Sequence, residues 1–106
     1  MDLKETFVYV IASDQSPNQV KIGMSRDPSR RVKQLQTGHA TLLQVFHKQA
    51  FPAKNTRMIE QIIHKNLGHL KLKGEWFSLT VEEAIAEVEF ALIRYGDETY
   101  CGLKWL

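Results

Sequence analysis

The chain has 106 residues, 25% of them charged and 43% hydrophobic, which fits one soluble domain and leaves no room for a second. A single cysteine, Cys101, excludes an internal disulfide framework and a cysteine-built zinc site. The net charge of +2 hides a split: 12 Lys+Arg against 5 Asp+Glu from Met1 to Gly74, then 2 against 7 from Glu75 to Leu106, which is either a basic working surface with a separate acidic element or chance clustering on a solvated surface. No apolar run reaches membrane-spanning length and the first residues are polar, so the expectation is a cytoplasmic protein without signal peptide or membrane anchor.

Phe7-Val8-Tyr9-Val10-Ile11 is aromatic and β-branched and reads as a strand buried on both faces. Ser13 to Asn18 is turn chemistry. Val20 to Met24 is a second strand, with Val20, Ile22 and Met24 on one face and Lys21 and Gly23 on the other. The short connection makes the pair an antiparallel hairpin. Asp27 caps a helix that begins at Pro28 and is closed by Gly38. Leu42 to Phe51 reads as a third strand. A second helix begins at Asn55 or Thr56, carries Met58, Ile59, Ile62, Ile63 and Leu67 at helical spacing, and stops at Gly68. Gly74 to Leu79 holds a short fourth strand. Thr80-Val81-Glu82-Glu83 is a capping box for a last helix ending near Tyr95. The order β-β-α-β-α-β-α predicts a small three-layer α/β sandwich over residues 1–96. Residues 97–106 form a tail whose Tyr100, Leu103, Trp105 and Leu106 are too apolar for water. It packs on the domain or on a partner, and with the acidic last helix it offers a homodimer interface.

Five short motifs fall in order on these elements: Val8 to Ile11 (VYVI), Val20 to Gly23 (VKIG), Arg31 to Gly38 (RVKQLQTG), Glu60 to His64 (a Glu and a His one helical turn apart) and Gly74 to Phe77 (GEWF). Together they resemble the small stand-alone phage and bacterial branch of the GIY-YIG nuclease superfamily, over about Thr6 to Leu92. The first motif appears as Phe7-Val8-Tyr9 and the second as Lys21-Ile22-Gly23. The chain departs from the broader pattern where Phe7 replaces a glycine and Lys21 a tyrosine. The late asparagine has no clear counterpart, and Glu75, which lies nearby, takes no role from it. The resemblance implies a metal-dependent endonuclease that hydrolyses DNA phosphodiester bonds with one Mg²⁺ or Mn²⁺ on Glu60, and Tyr9, Lys21, Arg31, His64 and Glu60 as catalytic residues. The alternative is a nucleic-acid-binding module that kept the fold and lost cleavage.

Phosphodiester hydrolysis needs an activated water, a cation on the non-bridging oxygens, charge relief on the leaving oxygen and placement, so several residues must share the work. Arg31 grips phosphate bidentately at any working pH; as a bland alternative it is a surface arginine near Asp27. Arg30 competes for the role but points further from the inward face. Tyr9 is a base or water-positioner, or simply a core aromatic. A free phenol has a pKa of about 10, and a nearby cation such as Lys21 lowers it if both face one side of the hairpin. Lys21 itself is a poor base, because shedding its proton near neutral pH costs roughly 4 kcal/mol; it serves as a phosphate clamp or phenol activator. Gly23 leaves room for a phosphate or marks a bulge. Glu60 read alone is a solvated carboxylate paired with Arg57 or His64; one such carboxylate with phosphate oxygens and waters is also a common Mg²⁺ arrangement. His64 orients a water, relieves the leaving group or pairs with Glu60. His39, His47 and His69 lack metal spacing. Trp76 and Phe77 pack the core, brace Glu75 or stack a splayed base. With Lys21 and Arg31, the residues Arg26, Arg30, Lys33, Lys54, Arg57 and Lys65 are expected to line the nucleic-acid path, mostly as phosphate contacts without sequence readout.

Overall fold

The computed structural model describes residues 5–95. Its elements are β1 (Glu5–Ser13), β2 (Ser16–Ser25), α1 (Pro28–Gln36), β3 (Leu43–Pro52), α2 (Ala53–Asn66), a 3₁₀ turn (Gly68–Leu70), β4 (Trp76–Phe77) and α3 (Val81–Tyr95). The tail at 97–106 and its proposed packing lie outside the described residues.

The strands form one sheet in the order β3-β1-β2-β4, each neighbouring pair antiparallel. β1 is central, and its residues from Val8 to Ala12 are buried. Period-two alternation sorts them into two cores. Val8, Val10, Ala12, Val20 and Ile22 pack with Ile59 and Ile63 of α2 and Ala84 and Val88 of α3. Tyr9 and Ile11 pack on the opposite face with Leu43, Trp76 and Val32 and Leu35 of α1. The result is the expected three-layer sandwich, with one helix on one face and two on the other.

Local chemistry accounts for the helix ends. The Asp27 carboxylate accepts from the Arg30 amide at 3.1 Å, with Pro28 in the first turn. Gln36 then ties α1 to β3: its side-chain oxygen accepts from the Leu43 amide at 2.7 Å and its nitrogen donates to the Thr41 carbonyl at 3.0 Å. The capping box of α3 is reciprocal, with the Glu83 amide donating to Thr80 Oγ1 at 3.0 Å and the Thr80 amide donating to Glu83 Oε1 at 2.9 Å.

Two boundaries differ from the sequence reading: the β1–β2 turn shrinks to residues 14–15, because Ser13 still belongs to β1 and Ser16 to Asn18, read as turn, are already part of β2, and the second helix begins sooner. α2 starts at Ala53, directly after β3, with Pro52 in the cap position and no side-chain cap. Asn55 and Thr56 are buried in the first turn, and the Thr56 hydroxyl donates back to the Pro52 carbonyl at 3.0 Å. The restricted φ of Pro52 makes the strand-to-helix corner without a capping side chain.

Candidate active site

The β1–β2 register builds the centre of the site. Tyr9 lies opposite Gly23, and Ile11 opposite Lys21. Tyr9, Lys21 and Gly23 therefore share the face that α1 covers. A Cβ on Gly23 would lie 2.5 Å from Tyr9 Oη, 2.7 Å from Tyr9 Cζ and 2.8 Å from Glu75 Oε1. The glycine is a steric requirement of the phenol packed across from it. The room expected there for a phosphate is taken by the phenol and the Glu75 carboxylate.

Lys21 is 8% exposed. Its ammonium lies 3.5 Å from Glu75 Oε1 and 5.7 Å from the centre of the Trp76 ring. Trp76 packs with Tyr9 and Ile11 and lies 5.4 Å from the His39 ring, while Phe77 is buried in the larger core. Both aromatics thus have packing roles.

Glu60 and His64 arrive from the other layer. His64 reaches the strand itself because β4 has only two residues and pairs only with Val20 and Lys21. Beyond that point the outer edge of β2 is open to other partners. The Ile22 amide donates to the Glu75 carbonyl at 3.2 Å, and the Ile22 carbonyl accepts from His64 Nε2 at 2.7 Å. A carbonyl only accepts, so Nε2 carries the proton, and Nδ1 remains as an acceptor in the neutral ring. Phe77 backs the His64 ring at 5.0 Å between centres.

Electrostatics ties the groups together. Burial pushes the Glu60 carboxyl above its ordinary value and the Glu75 charge adds to this, while His64, Arg57 and Lys21 pull it back. Burial likewise raises the Tyr9 phenol; Arg31, by hydrogen bond and by charge, opposes this, and Glu75 and Glu60 reinforce it. Tyr9 is therefore a neutral phenol at neutral pH. The cation beside it is Arg31, not Lys21 as the sequence suggested, because Lys21 is engaged by Glu75.

The structure thus gathers Tyr9, Lys21, Arg31, Glu60 and His64, with Arg57 at the margin. Arg26, Arg30 and Arg31 line an adjoining groove of about 440 Å³ with Gln34, so Arg31 joins the groove to the site. Lys33, Lys54 and Lys65 are exposed on α1 and α2 and do not figure in the charge environment of Tyr9 or Glu60. Among the described residues, no group of three or more His, Cys, Asp or Glu is placed to hold a metal. Glu60 is the residue there that could hold a hard cation, whose remaining ligands would then be phosphate oxygens and waters. Sequence reasoning left Glu75 without a role. GEWF marked the short strand but not its neighbour: Glu75, in the turn just before Trp76, meets the ammonium only because β4 pairs with β2 at Lys21.

Fold and site define a small three-layer α/β domain with a polar, partly buried site at one sheet edge. The T5orf172 domain matches residues 6–92, and the chain belongs to that family, which is phage-associated and related to nuclease families. Neither the curated proteins nor the solved structures give a match. No helix among the described residues is long and apolar enough to cross a membrane.

Proposed function

We propose that the protein is a metal-dependent endonuclease of the GIY-YIG type that hydrolyses DNA phosphodiester bonds. The observation that carries this reading is that Tyr9 from β1, Arg31 from α1 and Glu60 from α2 share one partly buried charge environment, with Arg31 hydrogen-bonded to the phenol and the Glu60 charge acting on it. These residues come from all three layers and are far apart in sequence, and membership of the T5orf172 family supports the same reading.

Arg31 is the clamp: its guanidinium stays charged and presents paired donors to the phosphate. Tyr9, held as a neutral phenol against Arg31, orients the attacking water through its hydroxyl. Phosphate binding at Arg31 weakens that cation's hold on the phenol, so Tyr9 positions the water better than it deprotonates it. His64, fixed through Nε2, keeps Nδ1 as the acceptor for a proton or a water. Glu60 is the residue that would hold Mg²⁺ or Mn²⁺, which supplies charge relief to the phosphate and leaving oxygens. Lys21 adds positive charge from the hairpin. Arg26 and Arg30 carry the flanking backbone along the groove.

The test is incubation of purified protein with end-labelled single-stranded and duplex DNA in Mg²⁺, Mn²⁺ or EDTA. Products that accumulate with metal and vanish in EDTA are expected. Salt-sensitive binding with no product in any metal would instead show a binding module on the same fold; the raised Tyr9 phenol is the observation on that side.

A further inference from the structure

Lys21 and Glu75 are an unequal pair. The lysine side chain is 10% exposed and the glutamate 39%. Lys21 sits inside a ten-residue strand, with its ammonium beside the Trp76 ring. Glu75 follows Gly74, whose φ is +60°, in a turn just before the two-residue β4. Of the two, only the glutamate side chain is free to swing into water. Its carboxylate also reaches over Gly23, where it and the Tyr9 hydroxyl fill the space of a missing side chain.

We propose that Glu75 is a placeholder anion: in the free protein its carboxylate takes the phosphate position at Lys21, and the nucleic-acid backbone binds by displacing it. This rests on the reading that a phosphodiester enters this site. The physical need is clear. A nearly buried ammonium left without a counter-charge is costly, so the free protein requires an internal anion. A phosphodiester carries one negative charge, as the carboxylate does, so the exchange keeps Lys21 paired while Glu75 turns to solvent. Glu75 therefore acts through Lys21, as a positioning residue that competes with substrate.

The experiment is a double-mutant cycle on affinity for a short labelled duplex DNA, at fixed low salt and in EDTA, which keeps cations from bridging the carboxylate. Glu75→Gln keeps the shape and removes the charge; Lys21→Met keeps the stem beside Trp76. Glu75→Gln is expected to tighten binding about fivefold in the natural background, the size of one half-exposed ion pair released. In the Lys21→Met background the gain is expected to disappear. Unchanged or weaker binding by Glu75→Gln, or the same gain in both backgrounds, overturns the proposal while binding by the natural protein upholds the nucleic-acid reading. No binding by the natural protein overturns both. Glu75→Ala and Lys21→Gln complete the same cycle if either first variant fails to fold.

Discussion

Glu60→Gln is expected to lower metal-dependent cleavage by on the order of 10³-fold, leave DNA binding in place, and raise the melting temperature at neutral pH. The loss of activity follows from replacing the one buried carboxylate on the active-site side of α2, since an amide is a far weaker ligand for a hard cation. The gain in stability follows from burial. Glu60 is 9% exposed, and its carboxyl is raised above the ordinary value of 4.5. Below that ordinary value the group is protonated in both folded and unfolded chains and costs nothing. As pH rises through the higher folded value, the folded chain must carry a charge that its surroundings resist, and stability falls. Gln removes that penalty. The melting temperatures of the two proteins should therefore differ at pH 7 and converge in acid. Such an opposition between stability and function is characteristic of a working site. Equal cleavage by both proteins would remove Glu60 from the mechanism; a lower melting temperature for Glu60→Gln at pH 7 would show that its charge is well paired in the fold.

Gly23→Ala is expected to damage fold and activity together. The backbone at Gly23 is not in the left-handed region, so it accepts alanine and the cost is steric. Two of the three atoms a methyl would meet belong to Tyr9, which is 1% exposed and has nowhere to go. Glu75, the third neighbour, yields easily. Overpacking of this kind costs about 1–3 kcal/mol, and each kcal/mol lowers the melting temperature by about 4–8 °C in a domain of this size. A phenol displaced by about 1 Å is enough to slow cleavage on the order of 10²-fold. Thermal denaturation and the cleavage rate measure the two effects. Tyr9→Leu in the same chain removes the obstructing ring, so Gly23→Ala should cost much less stability in that background. An equal cost in both backgrounds would show that the phenol does not press on Gly23.

Much of this arrangement is legible in the chain. The alternation in Val20-Lys21-Ile22-Gly23 places Lys21 and Gly23 on one face, and the structure keeps them there; the β1–β2 register then adds Tyr9, whose side the sequence left open. Thr80 and Glu83 declare the start of α3, and Asp27 and Pro28 that of α1. These signals are local, since each involves residues a few positions apart. The partners of Lys21 and Tyr9 are not local. Glu75 is separated from Lys21 by two helices and a strand, and becomes its neighbour only because β4 pairs with β2. The burial of Glu60, which read alone is a solvated helix carboxylate, is likewise non-local, since α2 packs Ile59 and Ile63 against the sheet and takes the carboxylate in with them. α2 starts early because Pro52 turns the corner by its backbone, a device without the Ser, Thr, Asp or Asn that marks most helix starts.

The most direct test of a cation at this site is paramagnetic broadening by Mn²⁺. Isotope-labelled protein, bound to a short DNA duplex with a cleavage-resistant backbone, is titrated with Mn²⁺ and its amide resonances followed. Signal is expected to be lost first around Glu60 and His64, then at Tyr9, Ile22, Gly23 and Glu75, with Glu60→Gln abolishing the effect. Broadening that centres instead on the acidic first turn of α3, at Glu82 and Glu83, or that survives Glu60→Gln unchanged, would contradict a cation on Glu60.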